Sequence, residues 1–264
     1  MTRSSARAST GRRIVAGLVQ RAWRWGQAMG RITADTAMGR RFAVMGRGAG
    51  IAFPPATIFG EPWIHIGPDT LIGQHITLSA GMVPGLDLGP APVVTIGARC
   101  TIGRGSHIVG HQSIEIGDDV FTGPYVYITD QNHAYEDPDT PIGRQWPKNE
   151  PVRIGAGSWL GAGAVVLPGT TLGRNVVVAG GAVVRGTFGD HCVLAGVPAR
   201  PIRRYDPATG WTRVTDANTG PPPDDGLTDA GLEDAGLDDA AAEAARRAAL
   251  LADARLDSTT LPPA

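Results

Sequence analysis

Aliphatic residues return every six positions along this chain, most of them followed by glycine or alanine, and few folds can accommodate that pattern. From Ile154 the series runs Ile154-Gly155, Leu160-Gly161, Val166, Leu172-Gly173, Val178-Ala179 and Val184 in one frame. Ile96-Gly97, Ile102-Gly103, Ile108 and Ile114 form a second series, and Ile66-Gly67, Ile72-Gly73 and Leu78 a third. The step from Ile114 to Ile116 shifts the frame by two, and Ile116-Gly117, Thr122-Gly123 and Ile128 continue from there. Six is neither the period of a helix nor that of a strand. It fits a coil of three short flat strands, each pointing one aliphatic side chain at a central axis, with a small residue where the chain bends. Stacked coils then pair strand on strand at ~4.8 Å, giving an all-β parallel solenoid in which each coil buries its apolar face only against its neighbours. A glycine-rich β-sandwich would alternate at period two instead.

Composition supports this choice. Glycine supplies 37 of 264 residues, about twice its usual share of ~7%, which disfavours a helical bundle. No run of apolar residues approaches the ~18 needed to span a bilayer. The repeat extends from about Ile58 to Val184 with two interruptions. Residues 83–95 lose the pattern, yet Leu78 and Ile96 are eighteen positions apart, so this stretch is expected to complete one whole coil. Ile128 and Ile154 are 26 apart, two beyond a multiple of six, so a loop must leave the solenoid within 129–153. Loops carried on a rigid repeat are where chemistry is commonly mounted.

Three stretches carry a resemblance to a known family. Thr129-Asp130-Gln131-Asn132-His133, followed by Tyr135-Glu136-Asp137-Pro138 and Pro141-Ile142, is similar to the protruding active-site loop of the sugar O-acetyltransferases. Ser158-Trp159-Leu160-Gly161 resembles their Trp-Ile-Gly coil, and Ala195-Gly196-Val197-Pro198-Ala199-Arg200-Pro201-Ile202-Arg203 the segment that closes their helix. The chain thus resembles the bacterial hexapeptide-repeat acyltransferases, a superfamily of left-handed β-helices, over about 60 to 204. Relatives often read Asp-His-Asn-His where this chain has Gln131 in the second position.

The resemblance implies transfer of an acetyl group from acetyl-CoA to a hydroxyl of a sugar or glycoconjugate. A thioester already has a good leaving group; the alcohol is the weak partner and needs a general base near neutral pH, for which histidine is the default. The resemblance makes His133 that base, with Asn132 as a donor to substrate or oxyanion. Asp130, Glu136 and Asp137 are the carboxylates that could orient the imidazole. Asp130, Tyr135 and Trp159 are expected against the acceptor. Gly161, Ala179 and Gly180 are expected along the pantetheine arm, and Arg200 and Arg203 near the coenzyme A phosphates, which guanidinium groups bind well. A homotrimer is implied, and no metal. Other readings on the same fold are an N-acyltransferase acting on an amino sugar, a serine acetyltransferase, a non-catalytic scaffold, and a zinc carbonic anhydrase with His107, His111 and His133 as ligands. The last is disfavoured because His107 and His111 are four apart and should fall on different parts of a coil.

The flanks differ in charge. Residues 1–60 hold ten arginines against Asp35 alone, whereas residues 206–264 hold twelve acids against four arginines. The sequence divides into a basic, partly helical segment (1–57), the β-helix (58–204) and an acidic low-complexity tail (205–264), expected to be disordered apart from a short helix at 239–256. Residues 12–30 suit a helix with Ile14, Leu18, Trp25 and Met29 on one face. It is expected to cap the open end of the solenoid; peripheral contact with a membrane surface is the other expectation, and nucleic acid is not an expected partner. Cys100 and Cys192 cannot form a disulfide framework and read as two reduced thiols. With no secretory apolar segment, a cytoplasmic protein is expected, at most touching the inner membrane surface.

Overall fold

A computed structural model describes residues 3–215 of the chain. The acidic stretch beyond, including 239–256, lies outside the described residues. Within them the six-residue period resolves into seven coils with three faces. The first face stacks Val44–Met45, Ile64–Ile66, Val94–Ile96, Ile114–Ile116, Val152–Ile154, Thr171–Leu172 and Thr187–Phe188. The second stacks Gly50–Ile51, Leu71–Ile72, Thr101–Ile102, Phe121–Thr122, Trp159–Leu160, Val177–Val178 and Cys192–Gly196. The third stacks Thr57–Phe59, Thr77–Ala80, His107–Gly110, Tyr127–Thr129, Val165–Val166 and Val183–Val184. All these pairings are parallel and coil-on-coil, so the chain is a left-handed β-helix of hexapeptide repeats.

The repeat aliphatics form the axis. Ile66, Ile96, Ile102, Ile108, Ile114, Ile128, Leu160 and Leu194 are almost wholly buried, each contributing about 1.5–3 kcal/mol relative to exposure. The first face explains the frame shift: Ile114 and Ile116 both point inward from one strand, with Glu115 outward between them. Where a glycine follows a repeat aliphatic, it is needed because the next coil passes close by. A Cβ on Gly117 would lie 2.7 Å from the Ala156 nitrogen, and one on Gly161 2.5 Å from the Gly180 nitrogen. Cys100 and Cys192 are buried and unpaired, and burial pushes both thiols up from their ordinary pKa.

Three expectations need correction. The β-helix does not begin at residue 58, because Val44–Met45 and Gly50–Ile51, within the expected 1–57 segment, already pair as the first strands of two faces. Residues 83–95 do not complete a coil. The third-face strand Thr77–Ala80 is followed by an excursion, and the next strand, Val94–Ile96, already belongs to the first face. Pro84, Pro90 and Pro92 lack the N–H that a ladder requires. The excursion folds back instead: the Trp63 indole donates to the Gly89 carbonyl at 2.7 Å, and Leu88 packs on the core. Nor does the N-terminal helix α1 (Arg3–Met29) cap the solenoid. Ile14, Leu18, Trp25 and Met29 are exposed by 59–67%, and the open end is closed by the chain after it. Ile32 exchanges backbone hydrogen bonds with Ile51 at 3.0 and 2.9 Å, and Phe42 and Met38 join the core.

At the other end, Gly196 (φ 103°) and a cis Val197–Pro198 bond reverse the chain. Ala199–Asp206 then pairs antiparallel with Cys192–Gly196, and Gly210–Arg213 with Ala199–Asp206.

Candidate active site

The 81–93 and 130–151 excursions both leave the corner between the third and first faces, on the coils either side of the tight turn 111–113. The larger excursion is stiff at its base. Gln131–Asn132 pairs antiparallel with Lys148–Asn149, so the chain leaves and returns as a two-stranded ribbon. The ribbon is fastened to the solenoid by Asp130, which is fully buried. One carboxylate oxygen accepts the His111 N–H at 2.7 Å, and the other accepts those of Gln112 and Ser113 at 2.7 and 2.6 Å. The Asp130 carbonyl accepts the Glu150 N–H at 2.8 Å, and the Glu150 carboxylate pairs with Arg185 at 3.1 Å. Both ends of the excursion are therefore pinned.

His133 stands just past the ribbon, exposed, with its N–H donated to Asn132 Oδ1 at 3.1 Å. Asn132 is exposed too, with its carboxamide nitrogen as a remaining donor. Tyr135 is 65% exposed. The three carboxylates expected to orient His133 are engaged elsewhere. Asp130 is occupied by the 111–113 turn and sealed from any acceptor, which corrects its expected role in substrate contact. Glu136 pairs with Lys148, whose ammonium holds this carboxyl below its ordinary range. Asp137 accepts the Asp139 N–H at 2.9 Å and is lowered chiefly by the Thr140 hydroxyl. Gln145 bridges the Asp137 and Thr140 carbonyls at 2.9 and 2.8 Å and holds the outer loop in shape.

His111 is a component that sequence reasoning placed only in the zinc reading. It lies in the turn that Asp130 grips, and its Nδ1 is buried without a hydrogen-bond partner. Burial pushes its pKa down, the Asp130 carboxylate opposes this, and a charge on His133 would lower it further. The two imidazoles are therefore electrostatic neighbours. The signal was available in the coil pairing, since Val109 lies opposite Thr129. His107 is elsewhere, on the third face against Tyr127, with ring centroids 6.2 Å apart, so the three histidines do not converge as zinc ligands.

The remaining candidates gather on a different edge. Trp159 lies on the outside of the second face, 48% exposed and in register between Phe121 and Val177. Gly161 follows at the corner between the second and third faces and touches Ala179 and Gly180 of the next coil. The Ala179 N–H donates to the Leu194 carbonyl at 2.8 Å, and Ala195 is paired with Arg200. Trp159, Gly161, Ala179, Gly180 and Arg200 thus line one edge. Arg203 lies further along the same terminal strand, between Val193 and Arg213. His133, Asn132 and Tyr135 occupy the edge across the third face. One chain does not bring the two groups together. Two surface clefts of the single chain are not lined by His133: one of about 260 Å³ is lined by Phe188, Asp190 and Arg204, and one of about 420 Å³ by Thr95, Glu115 and Ser113, the last of these in the turn that Asp130 grips.

This geometry has counterparts among known proteins. Residues 151–186 match the family described as bacterial transferase hexapeptide (six repeats), and 93–129 that described as hexapeptide repeat of succinyl-transferase. A Mycobacterium tuberculosis protein named as a probable acetyltransferase is 32% identical over 62% of this chain; the match spans 50% of that relative's length. WbbJ of Escherichia coli, named as a candidate lipopolysaccharide biosynthesis O-acetyl transferase, is 33% identical over 52% of this chain and 72% of its own. The galactoside O-acetyltransferase of Escherichia coli is 31% identical over 44% of this chain and 60% of its own. Among solved structures, a variant of AntD, an N-acyltransferase from Bacillus cereus in complex with dTDP-4-amino-4,6-dideoxyglucose and coenzyme A, superposes with a TM-score of 0.54. It covers 65% of this chain and 89% of its own at 19% identity, a likeness of fold alone. Repeat, pinned histidine loop and relatives point the same way: the chain belongs to the hexapeptide-repeat acyltransferases, close to the sugar O-acetyltransferases.

Proposed function

We propose that this chain is a coenzyme A-dependent O-acetyltransferase that acetylates a hydroxyl of a sugar or glycoconjugate. The observation that carries the reading is His133 on a ribbon pinned at both ends, because a general base must hold its position to within a fraction of an ångström to be effective. The acceptor hydroxyl oxygen attacks the thioester carbonyl carbon while a His133 ring nitrogen takes its proton. The tetrahedral intermediate then collapses, the C–S bond breaks and coenzyme A leaves as a thiolate that is reprotonated. The Asn132 carboxamide is a donor suited to the substrate or the developing oxyanion. No bond between enzyme and acyl group is needed.

The same reading assigns Trp159 and Tyr135 to the acceptor, Gly161, Ala179 and Gly180 to the pantetheine arm, and Arg200 and Arg203 to phosphate. Since these groups lie on separate edges of one chain, the reading calls for a homotrimer in which one subunit's His133 edge meets another's Trp159 edge. It places the protein in the cytoplasm. The test is release of free coenzyme A from acetyl-CoA across a panel of sugar acceptors. His133→Ala is expected to slow transfer by about 10²–10⁴-fold while acetyl-CoA binding persists. Unchanged transfer in that variant refutes the assignment, and transfer to amino sugars alone reassigns the chain to N-acylation.

A further inference from the structure

Helix α1 has an apolar side and nothing in the described structure covers it. Its 27 residues extend for about 40 Å. At 100° per residue, Ile14, Trp25, Leu18, Met29, Val15 and Val19 sweep about half the circumference, with Trp23 at the far rim. All seven are more than half exposed. Gln20, Gln27, Arg13, Arg24 and Arg21 occupy the other side, and Arg12 falls at the rim between Val19 and Trp23, where a long side chain can reach up to headgroup level. The stretch 3–29 contains six arginines and no acid.

Such a helix is poorly equipped to stand alone in water. Gly11, Gly17 and Gly26 weaken it, and no neighbour lies within 4 Å of where their side chains would be. It has no acid in its first turn, no base in its last and no internal ion pair. Among the described residues no helix is long and apolar enough to cross a membrane. A second copy of α1 laid on the arc would add six more arginines with no acid to balance them. The acidic tail divides the two requirements: its Asp-, Gly- and Pro-rich stretch at 206–239 carries charge with little apolar surface, and its alanine-rich stretch at 239–256 carries apolar residues with three acids cancelled by three arginines. The headgroup boundary of an anionic bilayer supplies both: hydrocarbon for the arc, negative charge for the arginines, and the interfacial depth where tryptophan settles.

We infer that α1 lies in the plane of an anionic phospholipid surface and anchors the β-helix there by its first coil. The root of the helix is set for this. Gly30 follows α1 directly and abuts the Phe53 ring, which would lie 2.5 Å from a Cβ at that position, so the helix leaves from the first-coil end. The anchor also narrows the acceptor, a step that rests on the proposed transfer: a lipid-linked saccharide is the glycoconjugate that a surface-held site meets most often.

The full-length protein is mixed with vesicles of phosphatidylcholine, alone or with phosphatidylglycerol, and sedimented. Binding is expected to be at least about tenfold stronger to the anionic vesicles and to weaken with salt. Leu18→Glu with Trp25→Glu should lower it at least about tenfold, with the melting of the β-helix and transfer to a soluble acceptor unchanged. A protein that stays in the supernatant, binds both vesicle types equally, or binds equally well with both glutamates in place overturns the anchor, and the acidic tail or another protein then covers the arc. Absence of transfer by the parent protein to every acceptor tried, with vesicle binding intact, would sink the enzyme reading and leave the anchor standing.

Discussion

Three backbone N–H groups converge on the Asp130 carboxylate at 2.6–2.7 Å in a position with no solvent. Hydrogen bonds to a charged acceptor are worth about twice neutral ones, and here they join the loop that carries His133 to the preceding coil. Asp130→Ala would leave three donors without their acceptor and is expected to cost about 3 kcal/mol. Denaturant unfolding measures this, and transfer should fall with it because His133 loses its footing; a variant as stable as the parent would contradict the role. His111, beside it, carries a pH dependence. Its pKa in the folded chain is lowered by burial, so below the ordinary histidine value of about 6.5 the unfolded chain binds a proton that the folded chain refuses. Stability conferred by the neutral imidazole is therefore present above that pH and is lost as pH falls toward the folded value. Melting temperature measured across mildly acidic pH should fall less steeply in His111→Gln than in the parent, and parallel curves would contradict this. Little of this arrangement was legible in the sequence. Asp130 read as a substrate contact because polar loop residues next to a candidate base usually face solvent. Its capture by the 111–113 turn depends on a pairing one coil away.

At the scale of the strand, the inward ladder and its small neighbours were legible because each coil repeats the same steric demand. Ile128 and Tyr127 are adjacent on one strand and face opposite ways, 1% and 36% exposed. Ile128→Ala should cost about 2–5 kcal/mol, and Tyr127→Ala much less; equal losses in denaturant unfolding would contradict the ladder. The excursions were less legible. A loop has no period, so the eighteen-residue spacing from Leu78 to Ile96 coincided with a coil length without being one. Helix α1 was legible as an amphipathic helix, but its partner was not. An apolar stripe states that something must cover it and does not state what.

Across the whole molecule, the residues assigned to the proposed chemistry divide between two edges of one prism. His133 and Asn132 stand at the corner between the third and first faces, and Trp159, Gly161, Ala179 and Arg200 at the end of the second. The family resemblance identified both groups of residues, and only the three-faced architecture shows that they are apart within one chain. The central claim is that this β-helix binds acetyl-CoA for His133 to use. Calorimetric titration of the purified protein with acetyl-CoA tests it without knowledge of the acceptor. The account predicts saturable binding near one site per chain, retained in His133→Ala. Absence of binding to a well-folded parent protein would contradict the claim at its root.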